Sequence, residues 1–127
     1  MSQGNPLPTG QYVSLETFRR DGRGVATPLW FVVLDNRVYA YTPDDSGKVK
    51  RLRRSDRARL APCTMRGQAT GPWREVTARP ETDEARCGEV FAAMARKYPV
   101  MYRLLTLIAL LSGKRSRRVV LAISLET

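Results

Sequence analysis

The chain has 127 residues, no histidine, two cysteines and a formal charge of +10, from 22 Lys and Arg against 12 Asp and Glu. That length suits one domain with a modest core. The missing histidine excludes Ser-His-Asp triads, His-ligated zinc and His acid–base chemistry, while the charge favours an anionic partner: nucleic acid, a membrane surface or a phosphorylated small molecule.

Met1 to Gly10 is polar, with Pro6 and Pro8 and neither the charged nor the apolar segment of a signal peptide. It is expected to be a flexible lead-in (1–10) to a single domain over 11–127. Tyr12 to Phe18 is rich in β-branched and aromatic residues and predicts a strand, followed by an Asp21-Gly22 turn. Val25 to Leu34 predicts a second strand, apolar on both faces from Leu29 on. Pro28 within it has no amide to donate and marks an edge, a bulge or a ligand contact. A tight Asp35-Asn36 turn leads to a third strand, Val38 to Thr42, completing a meander.

The polar loop from Thr42 to Gly47 delivers the chain into a short basic helix, Lys48 to Arg54, expected to close near Asp56. Ala58 to Met65 reads as a fourth strand with an irregular or edge position at Pro62, Arg66 to Pro72 as a reversal, and Trp73 to Arg79 as a fifth strand. Thr82 is the expected cap of a helix opening on Asp83 and Glu84, with Ala85, Val90, Phe91, Met94 and Tyr98 on its apolar side. Pro99 interrupts it. A further helix, Val100 to Leu111, carries Met101, Leu104, Leu105, Ile108 and Leu111; with Arg103 and Thr106 inside it, it is shorter than the roughly 20 residues a bilayer-crossing helix needs. A basic linker, Lys114 to Arg118, precedes a last strand, Val119 to Leu125. The order β-β-β-α-β-β-α-α-β predicts an α+β fold: a small, mainly antiparallel barrel with helices outside.

Cys63 and Cys87 are far apart and make no metal-ligand spacing, so no metal site is predicted and a reducing cytoplasm is the expected compartment. Cys63 reads as a small core residue and Cys87 as a partly buried structural one. A chain this poor in catalytic side chains is a binding protein or an enzyme whose chemistry resides in a cofactor.

The densest functional signal is Ser46-Gly47-Lys48-Val49-Lys50-Arg51-Leu52-Arg53-Arg54. A helix start presents unpaired N–H groups and the positive end of the dipole, and here it also carries a hydroxyl, a glycine and several cations, which suits a phosphate. From Lys48 to Arg59 the only acid is Asp56, against Lys48, Lys50, Arg51, Arg53, Arg54, Arg57 and Arg59.

Tyr12-Val13-Ser14-Leu15, Asp21-Gly22, Thr27-Pro28-Leu29-Trp30-Phe31, the Ser46-to-Leu52 run and Ala61-Pro62-Cys63 occur in an order that resembles the actinobacterial flavin/deazaflavin oxidoreductases of the pyridoxamine 5′-phosphate oxidase-like class. The branch most similar is the B group, which uses coenzyme F-420. The resemblance implies an FMN-binding-like split β-barrel, homodimeric, with the cofactor in a groove between subunits. It places Thr27, Pro28, Leu29 and Trp30 beside the cofactor ring. Ser46, Lys48, Lys50 and Arg51 would hold the phosphate and acidic tail, and Cys63, Arg66 and Gly67 would border the pocket.

The activity implied is hydride transfer from reduced F-420 to a small organic acceptor (a quinone, an enone or a tetrapyrrole-like molecule); no catalytic residue is identified, and water or a cation such as Arg66 are the candidate proton donors. FMN is the alternative cofactor. A non-catalytic carrier of F-420 or FMN is the alternative function, and a nucleic-acid-binding module a further one. The last is disfavoured because Trp30, Phe31, Tyr39 and Tyr41 fall in strands that read as buried or groove-lining. Tyr41 itself reads equally as core or cofactor wall. The strip Tyr98, Met101, Tyr102, Leu105 and Ile108 is expected to pack on the barrel, with a covered substrate mouth or an extended dimer contact as alternatives. Lys114, Arg115, Arg117 and Arg118 behind it bring in a membrane-surface contact, which is not the expectation.

Overall fold

The computed structural model describes residues 7–44, 46–112 and 118–125. Residues 1–6 of the lead-in and 114–117 of the basic linker lie outside them. The elements follow the expected order: β1 (Tyr12–Phe18), β2 (Gly24–Leu34), β3 (Arg37–Pro43), α1 (Gly47–Arg54), β4 (Arg57–Pro62), β5 (Arg74–Pro80), α2 (Glu84–Lys97), α3 (Pro99–Ser112) and β6 (Arg118–Leu125). The strands close an antiparallel barrel in the order β1-β2-β3-β6-β5-β4, with β4 returning onto β1.

The two-faced apolar run of β2 has a simple cause. Leu29 and Phe31 point into the barrel with Val13, Leu15, Val38, Leu60, Leu121 and Ile123. Val32 points outward, where it joins Tyr39 and Val120 beneath Val90, Met94 and Tyr98. The β2–β3 hairpin turns on Asp35 and Asn36, both left-handed (φ 51° and 63°), the geometry that matches strand twist in a two-residue loop and that Asp and Asn tolerate.

Two helix boundaries differ from expectation. Asp83 caps α2 in place of Thr82: its carboxylate accepts from the amides of Ala85 (3.0 Å) and Arg86 (3.4 Å). The Glu81 carboxylate takes the amides of Thr82 and Asp83, which sets the helix start one residue later, and a charged acceptor suits the positive end of the dipole. At the end of α1, Ser55 is the cap, and Asp56 instead pairs with Arg79 at 2.8 Å. Ala85, expected on the apolar side of α2, is exposed.

The feature that positions the site is a partial pairing. Residues Gly24 to Trp30 of β2 pair with β1, but only Phe31 to Leu34 pair with β3. Strand β3 runs on along β6 from Val38 to Pro43. Past Ala40, therefore, β2 and β3 part company and leave a wedge between Pro28–Trp30 and Tyr41–Pro43. Pro28 sits on this unpaired edge, where a missing N–H costs no ladder bond.

Candidate functional site

The wedge is a groove of about 480 Å³, within the usual range for small-molecule sites. One wall is Pro28, Leu29 and Trp30, and the other is Tyr41, Thr42 and Pro43. Tyr12, Met65, Leu105 and Arg118 complete the lining. Strand alternation sorts the four β2 residues singled out from sequence. Pro28 and Trp30 project away from the barrel interior, whereas the Leu29 side chain is in the barrel core and contributes to the groove only at its margin. Thr27 shares the face of Leu29 and lies outside the groove lining; its hydroxyl is buried with no hydrogen-bond partner among the described residues.

Trp30 is held by α2. Its ring stacks on Tyr98 with centroids 4.8 Å apart and planes 9° from parallel. The Tyr98 hydroxyl accepts from the Phe31 amide (3.2 Å) and lies within donating distance of two carbonyls, those of Gln11 (2.7 Å) and Phe31 (2.9 Å). It serves the backbone of β2 just beyond the first residue of β1, where the β1 pairing is over. Burial pushes this phenol up to about 12. Next to it, Lys97 donates to the Phe31 carbonyl at 2.8 Å with its ammonium 3.5 Å from the Phe31 ring centre, and desolvation lowers its pKa to about 8.

The polar end of the groove joins the start of α1 through a single residue. Thr42, buried in the groove wall, accepts from Lys48 Nζ at 3.2 Å and donates to Ser46 Oγ at 3.5 Å. Ser46 is the helix cap, accepting from the Val49 amide at 3.4 Å. Burial, and then the charge of Arg51, holds Lys48 below the ordinary lysine range. A cation placed so gains most when an anion arrives beside it.

The rest of the basic run faces elsewhere. Arg51 Nε donates to Thr17 Oγ1 on β1 at 2.7 Å, and Arg54 donates to the Phe18 carbonyl at 2.9 Å. Both line a second depression with Arg19, Arg20, Arg23 and Asp21 of the β1–β2 hairpin. Desolvation, with the charges of Arg19 and Arg54, lowers the pKa of Arg51. The Arg51 guanidinium also reaches back to the helix start: a Cβ on Gly47 would lie 2.8 Å from Nη1. Arg51 thus bridges the α1 N-terminus to the hairpin cluster, while Lys50 is exposed.

The third sequence-derived group borders the groove from the β4–β5 connection. Gly67 takes φ +89°, and a Cβ there would sit 3.4 Å from Pro28 Cδ, so this turn passes over Pro28. Met65 of the same turn reaches the groove, whereas Arg66 is exposed and outside the lining. Cys63 is buried behind the wall, its amide on the Tyr12 carbonyl (3.2 Å) and its thiol pKa raised by burial.

Sequence reasoning missed Tyr12, Thr42, Pro43, Met65 and Arg118 as lining residues. Arg118 stacks over Tyr41 at 5.1 Å, a second cation in the groove. Only its place as the last basic residue before the final strand hinted at it. Tyr41, read equally as core or cofactor wall, lines the groove and also packs on Phe91 and Tyr102 of the outer cluster; burial raises its pKa, partly offset by Arg118. Phe31 and Tyr39 are buried, so no run of exposed rings is interleaved with the α1 cations among the described residues. No cluster of potential metal ligands occurs among the described residues, and no described helix is long and apolar enough to cross a membrane.

No protein-family profile matches the chain, and no curated protein sequence does. Solved structures do. A conserved hypothetical protein from Mycobacterium tuberculosis is 21% identical, with TM-score 0.66 over 94% of this chain and 75% of its own. A candidate pyridoxamine 5′-phosphate oxidase from Listeria innocua is 17% identical, with TM-score 0.64 over 93% and 86%. The heme storage protein HutZ from Vibrio cholerae is 13% identical, with TM-score 0.68 over 92% and 82%. The fold is the split barrel of the pyridoxamine 5′-phosphate oxidase-like proteins. At these identities the likeness is one of fold.

Proposed function

We propose that the groove binds a phosphate-bearing redox coenzyme, F-420 in preference to FMN, and that the protein is an F-420-dependent reductase of a small organic acceptor. A second copy of the chain closes the open side of the groove. The observation that carries this reading is the contact between Thr42 in the groove wall and Lys48 at the start of α1. It joins a flat, aromatic, half-open slot to a phosphate-type site within the reach of one ligand. The likeness in fold to a candidate pyridoxamine 5′-phosphate oxidase supports it.

The residues present fit such a group. Pro28 and Trp30 offer one flat wall and Tyr41 the other. The Thr42 hydroxyl, Lys48 and the Ser46-capped helix start bind the phosphate. Arg51 continues the cationic path to Arg54 and the hairpin arginines, which suits the acidic tail that F-420 has and FMN lacks. When bound in its reduced form, a deazaflavin supplies a hydride to an acceptor lying against its open face. The chain's own contribution is to hold ring and acceptor in contact and keep water out. Arg66 stands outside the lining, whereas Tyr41 is part of it and is better placed to give a proton to a bound acceptor.

Titrating purified protein into F-420 and into FMN, with ring fluorescence as the signal, tests binding. Spectral oxidation of reduced F-420 by quinones, enones and biliverdin then separates turnover from storage. Saturable F-420 binding without oxidation by any acceptor would leave a carrier and overturn the reductase.

A further inference from the structure

We propose that α3 lays its outer face on an anionic lipid surface. The helix turns only one side to the barrel: Tyr102 packs near Tyr41 with centroids 6.5 Å apart, and the Thr106 hydroxyl is buried. By helical spacing the opposite side carries Val100, Leu104, Leu107 and Leu111, flanked by Ile108 and Leu110. Eight large apolar residues of α3 are exposed, by 40 to 79% of their surface; elsewhere among the described residues only Val33 and Met65 are comparable. A contiguous patch of this kind marks a contact surface and not ordinary solvent-facing helix.

Charge selects the occupant. No Asp or Glu occurs between Glu89 and Glu126, while exposed Arg96 precedes the helix and Arg103 lies within it; Lys97 is turned onto Phe31 and Arg118 onto Tyr41 in the groove. A second copy seated on this face would bring these cations towards their own counterparts, with no acid in the stretch to answer them. Anionic headgroups answer them directly, and acyl chains take the leucines. At 14 residues α3 is about 21 Å long, short of the roughly 30 Å hydrocarbon core, so it lies in the interface and does not span.

The full chain is sedimented with vesicles of phosphatidylcholine alone and of phosphatidylcholine mixed equally with phosphatidylglycerol, alongside its oligomeric state by analytical ultracentrifugation. The expected result is binding to the mixed vesicles, about tenfold weaker binding to the neutral ones, and a loss of about tenfold in Leu107→Glu/Leu111→Glu. These positions are exposed, so thermal unfolding should be unchanged. Arg103→Glu, a milder change, should weaken binding to the mixed vesicles alone. Failure of wild type to bind the mixed vesicles, or equal binding to both kinds, would overturn the proposal. So would a leucine variant that dissociates an oligomer while binding vesicles as wild type does.

Discussion

Trp30 and Tyr98 stack almost in parallel, 4.8 Å between centroids, and this contact ties the Pro28–Trp30 wall of the groove to the end of α2. The Tyr98 hydroxyl completes the tie by serving the Phe31 amide and the Gln11 and Phe31 carbonyls. Tyr98→Phe keeps the stack and removes the hydroxyl, leaving the Phe31 amide of β2 without this acceptor, while the Phe31 carbonyl keeps Lys97. Urea unfolding should show a loss of about 1–3 kcal/mol.

The same pair of proteins carries a pH signature. Tyr98 titrates near 12 in the folded chain against 10.0 for an ordinary tyrosine, so the folded state holds its proton more tightly. Its contribution is fully present below pH 10 and is lost as pH rises through about 12. The difference in stability between wild type and Tyr98→Phe should be flat below pH 10 and shrink above it. A difference that grows above pH 10 would contradict the buried placement of this hydroxyl.

Thr42→Val keeps the shape of a buried residue and removes the acceptor of Lys48 Nζ. The prediction is unchanged secondary structure by circular dichroism and about 5–10-fold weaker coenzyme binding, about 1–1.4 kcal/mol, from loss of one hydrogen bond at the phosphate end. Because burial lowers the pKa of Lys48, affinity in wild type should also begin to fall with rising pH before an ordinary lysine would deprotonate.

A double substitution in the arginine cluster tests which coenzyme is bound. Arg51→Ala/Arg54→Ala empties part of the second cationic depression but leaves the Thr42–Lys48 contact. Affinity for F-420 should drop about tenfold and that for FMN by no more than about twofold, with the F-420 effect shrinking as salt rises. Equal losses for both would show that no acidic tail reaches this cluster.

Gly67→Ala probes the turn that covers Pro28. A Cβ at φ +89° is strained and would stand 3.4 Å from Pro28 Cδ. A loss of about 1–2 kcal/mol in thermal or urea unfolding is expected from the backbone alone.

Much of the barrel was legible in the sequence because its signals are local. Tyr12 to Phe18 and the Asp35-Asn36 turn depend on nearest neighbours, and the two-faced apolar run after Leu29 announces a strand covered on both sides. The groove was less legible. No local signal marks where β2 leaves β3: Tyr41 and Thr42 stay in the sheet because β6, from the far end of the chain, pairs with the other edge of β3. Arg118 enters the site by the same route. The basic run read as one site, yet Thr42 on β3 draws Lys48 one way and Thr17 on β1 draws Arg51 another. The α3 pattern failed as a packing signal for a related reason: apolar residues on all sides of a helix do not say which side is covered.

The most direct measurement is the affinity of wild type and Lys48→Glu for coenzyme F-420, read by fluorescence, with circular dichroism confirming that both are folded. The prediction is saturable binding by wild type and a loss of about a hundredfold or more in the variant, since an acid would then face the phosphate beside Thr42. Equal affinity in the two proteins, or no saturation with either F-420 or FMN, would contradict a coenzyme site in the cleft between β2 and β3.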